Sequence, residues 1–375
     1  MARLVLVLNT GSSTLKFQVV DADDGRSLLS HLVEHVDDDA DRGRSLDAVD
    51  AELARAGLGA DDLAAVGHRI VLGGPDLVRP TLLDDDVVAQ IEDAGELAPL
   101  HNPPAVAAVR RARERFPGLP HVAVFDTAFF AGLPAASATY ALDTELAQRL
   151  RIRRYGMHGI SHEYVASAAA AVLGRDVAEL DQIVLHLGNG ASASAVRGGR
   201  PLDTSMGLTP LEGLVMGTRA GDLDPGVVVH LLRHGGLDVD GLEDLLHHRS
   251  GLAGLSGHAD FRDLVEAVSA GDARAHTAYD VYVARIRKYV GAYLAVLGGA
   301  DAITFTAGVG EHAPGLRRDA LAGLGRLGIE LDEARNEQPT DGPRVVSSDA
   351  STVRVLVVPT NEELQIARHV VTALG

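Results

Sequence analysis

Asp181-Gln182-Ile183-Val184-Leu185-His186-Leu187-Gly188-Asn189-Gly190 is an apolar run of strand length that ends abruptly in a glycine turn. Small residues alternate after it, Ala191-Ser192-Ala193-Ser194-Ala195-Val196, up to a second turn at Gly198-Gly199. The pattern predicts a strand, a tight turn and a returning strand. The N-terminus repeats the device. Residues 4–8 run into Asn9-Thr10-Gly11-Ser12-Ser13-Thr14, after which Leu15, Phe17 and Val19 alternate with Lys16 and Gln18. Two hairpins of one pattern imply an internal duplication, with a cleft between the halves.

The 375 residues are enough for two or three domains. Apolar residues make up 46% of the chain and charged residues 23%, a balance that builds a core and argues against general disorder. A formal net charge of −18 argues against a nucleic-acid backbone or an anionic membrane as the main partner. An anionic ligand therefore needs a local cluster of arginines. The absence of cysteine removes disulfides, thiolate catalysis and Cys-ligated zinc. The N-terminal apolar run is too short for a signal peptide and no run reaches the ~18 residues that span a bilayer, so a cytoplasmic protein is expected.

Further along, an arginine stands in the near-apolar run Val66-Gly67-His68-Arg69-Ile70-Val71-Leu72, just before Gly73-Gly74. A cation at such a position points to an anion contact. Asn102 reads as an N-cap with Pro103 at the first helical position, the helix running to Arg115. Residues 122–125 form a buried-type strand that ends in Asp126, and open α/β sheets gather ligands at such strand ends. His158 lies in a glycine-flanked loop, Arg154-Tyr155-Gly156-Met157-His158-Gly159, as a hydrogen-bond donor rather than a zinc ligand. His31-Leu32-Val33-Glu34-His35 matches a zinc-peptidase motif in reverse but has no third ligand beside it.

Arg219 sits among glycines in Gly217-Thr218-Arg219-Ala220-Gly221, a poor place for a merely solvated charge. A helix capped by Asp224-Pro225 follows, and a long amphipathic helix covers about 272–297. Residues 302–305 form a strand that breaks into Thr306-Ala307-Gly308-Val309-Gly310-Glu311-His312, where a flat or phosphorylated ligand can approach the backbone. The strand at 353–358 leads to Pro359-Thr360-Asn361-Glu362-Glu363. Thr360 and Glu363 form a capping box there, which leaves Glu362 free. Together the hydroxyl and glycine turns offer donors to phosphate, Arg69 and Arg219 offer guanidinium forks, and Asn9, Asp126 and Glu362 are hard oxygen groups of the kind Mg²⁺ takes. That inventory suits phosphoryl transfer.

In order along its whole length, the chain resembles the acetate kinase family. The resemblance rests on Asn9-Thr10-Gly11-Ser12-Ser13-Thr14-Leu15-Lys16, His158-Gly159-Ile160-Ser161-His162, His186-Leu187-Gly188-Asn189-Gly190, Gly217-Thr218-Arg219, residues 306–311 and residues 359–363. It implies an α/β protein of duplicated actin/hexokinase-like (ribonuclease H-like) domains with a central cleft, an N-terminal domain of 1–129 plus 364–375, and a nucleotide-binding and dimerisation domain of 130–363. It further implies a homodimer and the reaction of ATP with acetate to give ADP and acetyl phosphate, with Mg²⁺ or Mn²⁺ and without a phosphoenzyme on the main path.

By the same resemblance, Arg69, Asp126, His158 and Arg219 are catalytic, and Asn9 and Glu362 position the metal. Lys16, Leu187 and Gly188 bind the nucleotide, and His186, Asn189 and Gly190 line the phosphate path. Asp260, Phe261, Arg262, Gly308, Val309, Gly310 and His312 form the adenosine pocket, and Val71, Leu100, Met157 and Pro210 the pocket for the acetate methyl. The chain departs from the family's usual residues at Met157, Leu72, Phe130, Ile160 and His312. A propionate- or butyrate-preferring kinase and a non-catalytic nucleotide-gated module on the same fold are the alternatives.

Overall fold

The computed structural model describes residues 3–10, 14–34, 39–97 and 101–375. The chain divides into two units, Met1–Ala131 with Met157–Ser161 and Asn361–Gly375, and Gly132–Gly156 with His162–Thr360. The expected boundaries placed His158 and Glu362 with the C-terminal domain. The structure groups both with the first unit, where the Gly159 N–H bonds to the Asp126 carbonyl at 2.9 Å.

The first unit holds a six-stranded sheet built from β1 (Leu4–Thr10), β2 (Thr14–Asp21), β3 (Ser27–Glu34), β4 (Ala65–Ile70), β5 (Thr81–Leu82) and β6 (His121–Phe125). Its order is β3-β2-β1-β4-β6-β5, with β1, β4 and β6 parallel and the others antiparallel to their neighbours. The second unit holds β7 (Asp181–Leu187), β8 (Ala191–Arg197), β9 (Arg200–Thr204), β10 (Ala302–Thr306), β11 (Arg344–Val345) and β12 (Arg354–Val357), in the order β11-β12-β10-β7-β8-β9. Read from its other edge, that order repeats the first: an antiparallel three-strand meander, two further parallel strands and a short antiparallel edge. The fold is thus α/β and duplicated, as the two hairpins imply.

Both faces of β1 are buried, Leu6 and Leu8 on one side and Val5 and Val7 on the other, which accounts for its unbroken apolar run. Leu6, Leu8, Phe17 and Val19 pack with Val49 and Leu53 of the helix Asp39–Arg55 and with Ala112 of the helix Asn102–Arg115. Gly67 of β4 lets the C-terminal helix Glu362–Leu374 come close, since a Cβ there would lie 2.8 Å from Val370 and 3.0 Å from Ile366.

The expected cap at Asn102 is not made. His101 holds the N-cap position, and Asn102 is fully buried as the first helical residue. Its side chain accepts from the Leu72 N–H at 3.2 Å and donates to the carbonyls of Leu72 (2.8 Å) and Ile91 (3.1 Å). A tertiary demand, the unsatisfied backbone just past β4, has outbid the local one. The long helix is Ala273–Leu297, capped by Asp272. Its buried face includes Tyr282, Val283, Ile286, Val290, Tyr293 and Leu297, in keeping with the expected amphipathic helix.

One buried pair makes stability depend on pH. His68 Nε2 lies 2.9 Å from His121 Nδ1, and burial pushes the His68 imidazole well below its usual range and His121 below it too. In the unfolded chain both titrate near ~6.5. Below that pH the unfolded state takes up protons that the native state refuses, so the contribution is complete above ~6.5 and shrinks as pH falls further. Urea midpoints should drop from pH 7.5 to pH 5.5, and His68→Gln should flatten that dependence. Equal slopes for the two proteins would contradict the assignment.

Candidate active site

β1, β4 and β6 are neighbours and parallel, so their carboxyl ends share one edge of the sheet of the first unit. Each delivers a polar group there: Asn9 on β1, Arg69 on β4, and Asp126 immediately after β6. The C-terminal helix begins at the same place with Glu362. Arg69 forms an ion pair and hydrogen bond with Asp126, donates to Asn9 Oδ1 at 3.1 Å, and has Glu362 Oε2 4.0 Å from its Nε. Burial works against the Arg69 charge, but Asp126 and Glu362 outweigh it and hold its pKa above the ordinary arginine value. Burial lifts the Glu362 carboxyl to about 7; Arg69 opposes the rise, and the neighbouring Asp126 and Glu363 add to it.

The divalent cation that the resemblance implies needs hard oxygen donors. Asp126 Oδ1 is buried and has no hydrogen-bond partner, and Glu362 is a carboxylate held short of full ionisation by its surroundings. With Asn9 beside them, these groups fit such an ion. The expected capping box at the same helix is replaced by a different arrangement. Asn361 is the N-cap and accepts from the Leu364 N–H at 3.0 Å, while Glu363 pairs with Lys16 at 2.8 Å. Lys16, expected to bind the nucleotide, is thus engaged by a buried carboxylate.

His158 has φ of 60°, an uncommon conformation for a residue with a side chain. Its neighbour explains how it is held. Gly159 packs so closely on the carbonyl of Asp126 that a Cβ would collide with that oxygen and lie 3.0 Å from Phe129 Cβ. The segment carrying His158 is thereby tied to the residue that pairs with Arg69. Met157 and Val71 are buried in the same unit; Pro210 is buried in the other, and Leu100 lies outside the described residues, as do Gly11, Ser12, Ser13 and His35.

In the second unit the β7–β8 hairpin turns where expected. His186 and Leu187 end β7, and the Gly188 N–H bonds across the turn to the Gly190 carbonyl at 3.0 Å. Gly188 and Asn189 line a cavity of about 350 Å³. Asp260, Phe261 and Arg262 form another part of its wall, and Gly308, Val309 and His312 a third. The 306–312 stretch is a helix, Ala307–His312, rather than an open loop. Gly308 faces open space, whereas Gly310 packs inward on Phe305 and does not line the cavity. Asp260 caps the helix Phe261–Ser269, and the hydrogen bond from Arg262 holds its carboxyl down at about 2. Gly217, Leu252, Ala259, Tyr282 and Ala313 complete the lining; of these, Leu252 and Tyr282 carry no local signal in the sequence.

Arg219 is half-buried, and its partial loss of solvent lowers its pKa. Its guanidinium donates to the Pro210 carbonyl at 3.2 Å and approaches Met216 Sδ at 3.7 Å. Among the described residues it has no ion-pair partner.

Comparison with known proteins gives one answer. The model of the acetokinase family matches residues 36–368. The crystal structure of an acetate kinase from Porphyromonas gingivalis superposes with a TM-score of 0.93 at 37% identity, covering 100% of both chains. That of a propionate kinase from Francisella tularensis gives 0.91 at 35% identity over 98% of each chain. An acetate kinase from Entamoeba histolytica gives 0.86 at 28% identity over 97% of each. No helix among the described residues is long and apolar enough to cross a membrane.

The close packing at Gly159 is testable on its own. Gly159→Ala should destabilise the protein by about 1–3 kcal/mol, the usual cost of overpacking, in thermal or urea unfolding. A variant as stable as the parent would show that the Asp126 carbonyl yields freely.

Proposed function

The chain belongs to the acetokinase family, a family of kinases, and on that footing we propose that it transfers the γ-phosphoryl group of ATP to acetate. A carboxylate oxygen of acetate attacks the γ-phosphorus, the bond to the β–γ bridging oxygen breaks, and ADP and acetyl phosphate leave. Such a transfer needs alignment and charge stabilisation more than covalent help. Arg69, kept charged by Asp126, would hold the acceptor carboxylate. His158 would donate to an oxygen of the moving group. Arg219 would meet the negative charge that spreads over that group in the transition state. Asn9, Asp126 and Glu362 would hold Mg²⁺ or Mn²⁺, which supplies positive charge to the phosphate oxygens when bound. The 350 Å³ cavity would take adenosine, with His186, Leu187 and the 188–190 turn beside the phosphates.

The observation that carries this reading is the half-buried Arg219 without a counter-ion among the described residues. Arg219→Ala should lower turnover by ~10³-fold or more, by analogy with arginines that stabilise phosphoryl transfer elsewhere. Near-parental acetyl phosphate formation in a hydroxamate assay would reject the role.

A propionate-preferring enzyme is the second reading, favoured by the 35% identity to a propionate kinase. Val71 and Met157, both buried, would bound the acyl chain, and Val71 favours the two-carbon acid. One methylene discriminates by only ~1–3 kcal/mol, so kcat/KM should fall about 10-fold or more from acetate to propionate. The opposite order would assign the longer acid.

A cytoplasmic homodimer belongs to the same proposal. The helix Pro225–His234 buries none of its residues although it carries Val227, Val229 and Leu232, which are 42%, 45% and 39% exposed. An apolar helix left open in this way suits an interface with a second copy. Val229→Asp should shift the protein to monomer in sedimentation, and a dimer that survives the change would place the interface elsewhere.

A further inference from the structure

Residues 213–222 form a loop closed at its base. The Gly213 N–H donates to Asp222 Oδ1 at 2.9 Å, and the Asp222 N–H donates to the Gly213 carbonyl at 3.0 Å. The corners require glycine: φ is 107° at Gly213 and 71° at Gly221, where a Cβ would press on the carbonyls of Gly213 and Leu214. The helix Ala273–Leu297 grips the same base. Arg285 donates to the carbonyls of Gly213 (3.1 Å) and Asp222 (3.3 Å) and pairs with Asp222 Oδ2 at 3.3 Å. The Tyr289 hydroxyl bonds to the Asp222 carboxylate at 3.1 Å. At the far end the loop is held by Ser250 N–H to the Thr218 carbonyl at 3.0 Å, Ala220 N–H to the Leu246 carbonyl at 3.2 Å and the Thr218 hydroxyl to the His247 carbonyl at 2.8 Å.

Arg219 stands on this loop and, among the described residues, has no ion pair to orient it, so its aim depends on the loop backbone and on its contacts with the Pro210 carbonyl and the Met216 sulfur. Asp222 is the acid closest to it in sequence, but among the described residues its carboxylate does not pair with Arg219. Its bonds to Gly213, Arg285 and Tyr289 take up that carboxylate instead.

We propose that Asp222 is a positioning residue for Arg219: it locks the base of the 213–222 loop to the long helix, and in doing so keeps its own charge away from the guanidinium. This role presupposes that Arg219 acts in the transfer step.

The test is a double-mutant cycle on the full-length protein with Asp222→Asn and Arg219→Ala, read as acetyl phosphate formation from ATP and acetate. Asp222→Asn keeps an oxygen for the Gly213 N–H but loses the charge that faces Arg285. Its kcat should fall by ~10²-fold, the cost of a misplacement of about 1 Å, with KM for ATP changed by less than about threefold. In the Arg219→Ala background the same change should cost less than about threefold, because the group it positions is gone. Losses that multiply in the double variant, or an unchanged kcat in Asp222→Asn, would overturn the proposal. If Asp222→Asn does not fold, Tyr289→Phe replaces it in the cycle, with a loss of about fivefold expected in the parent and none beside Arg219→Ala; multiplying losses overturn the proposal here too. Near-parental turnover of Arg219→Ala alone is a separate result, since it removes the role of Arg219 itself.

Discussion

Burying a guanidinium is costly unless an anion meets it, and the chain answers that constraint in opposite ways at two arginines. Arg69 is compensated within its own unit, by Asp126 through a direct pair and by Glu362 at 4.0 Å. Arg219 is half-buried, and among the described residues its guanidinium bonds only to the Pro210 carbonyl and the Met216 sulfur. A compensated arginine keeps its charge and geometry before any ligand arrives. An uncompensated one gains most when negative charge develops next to it, which is the condition for lowering a barrier rather than merely binding a substrate. The buried carboxyl of Glu362, raised to about 7, belongs to the first arrangement: several acids crowd one cation, and a further positive charge would relieve them.

The duplicated topology shows how one architecture yields two kinds of surface. In each unit a hairpin leads into parallel strands whose carboxyl ends meet at one edge. In the first unit those ends present Asn9, Arg69 and Asp126, a charged cluster tied together by side chains. In the second they present the Gly188–Gly190 turn and the start of the helix Ala307–His312, which leave room for the cavity. The difference lies in the few residues that follow each strand and not in the sheets.

What was legible in the sequence was local. Apolar alternation around Gly188-Asn189-Gly190 and at residues 4–19 predicted both hairpins, and Arg69 stood out because a charge interrupts an apolar strand. Asp126 was legible as a carboxylate at a strand end. The misreadings came where distant backbone competes with local capping. Asn102 serves Leu72 and Ile91 instead of its own helix, and Glu363 reaches across to Lys16 while Asn361 takes the cap. Tyr282 and Leu252 reach the cavity from helices whose sequences read only as amphipathic or small. No periodicity could have joined Asp222 to Tyr289, sixty-seven positions apart in the chain. The family's motifs carried most of the functional assignment, and the contacts within each unit supply its physical reasons.

The central claim is that Arg219 is held ready for charge that exists only midway through transfer. Transition-state mimics bind ~10²–10⁸-fold more tightly than substrates when a site is built for that state. The direct measurement is the affinity of the protein for ADP, acetate and a planar aluminium fluoride with Mg²⁺, compared between the parent and Arg219→Ala. The account predicts tight binding of the full set by the parent and its loss in the variant, with ADP alone bound equally by both. Equal affinity of the two proteins for the planar mimic would contradict it.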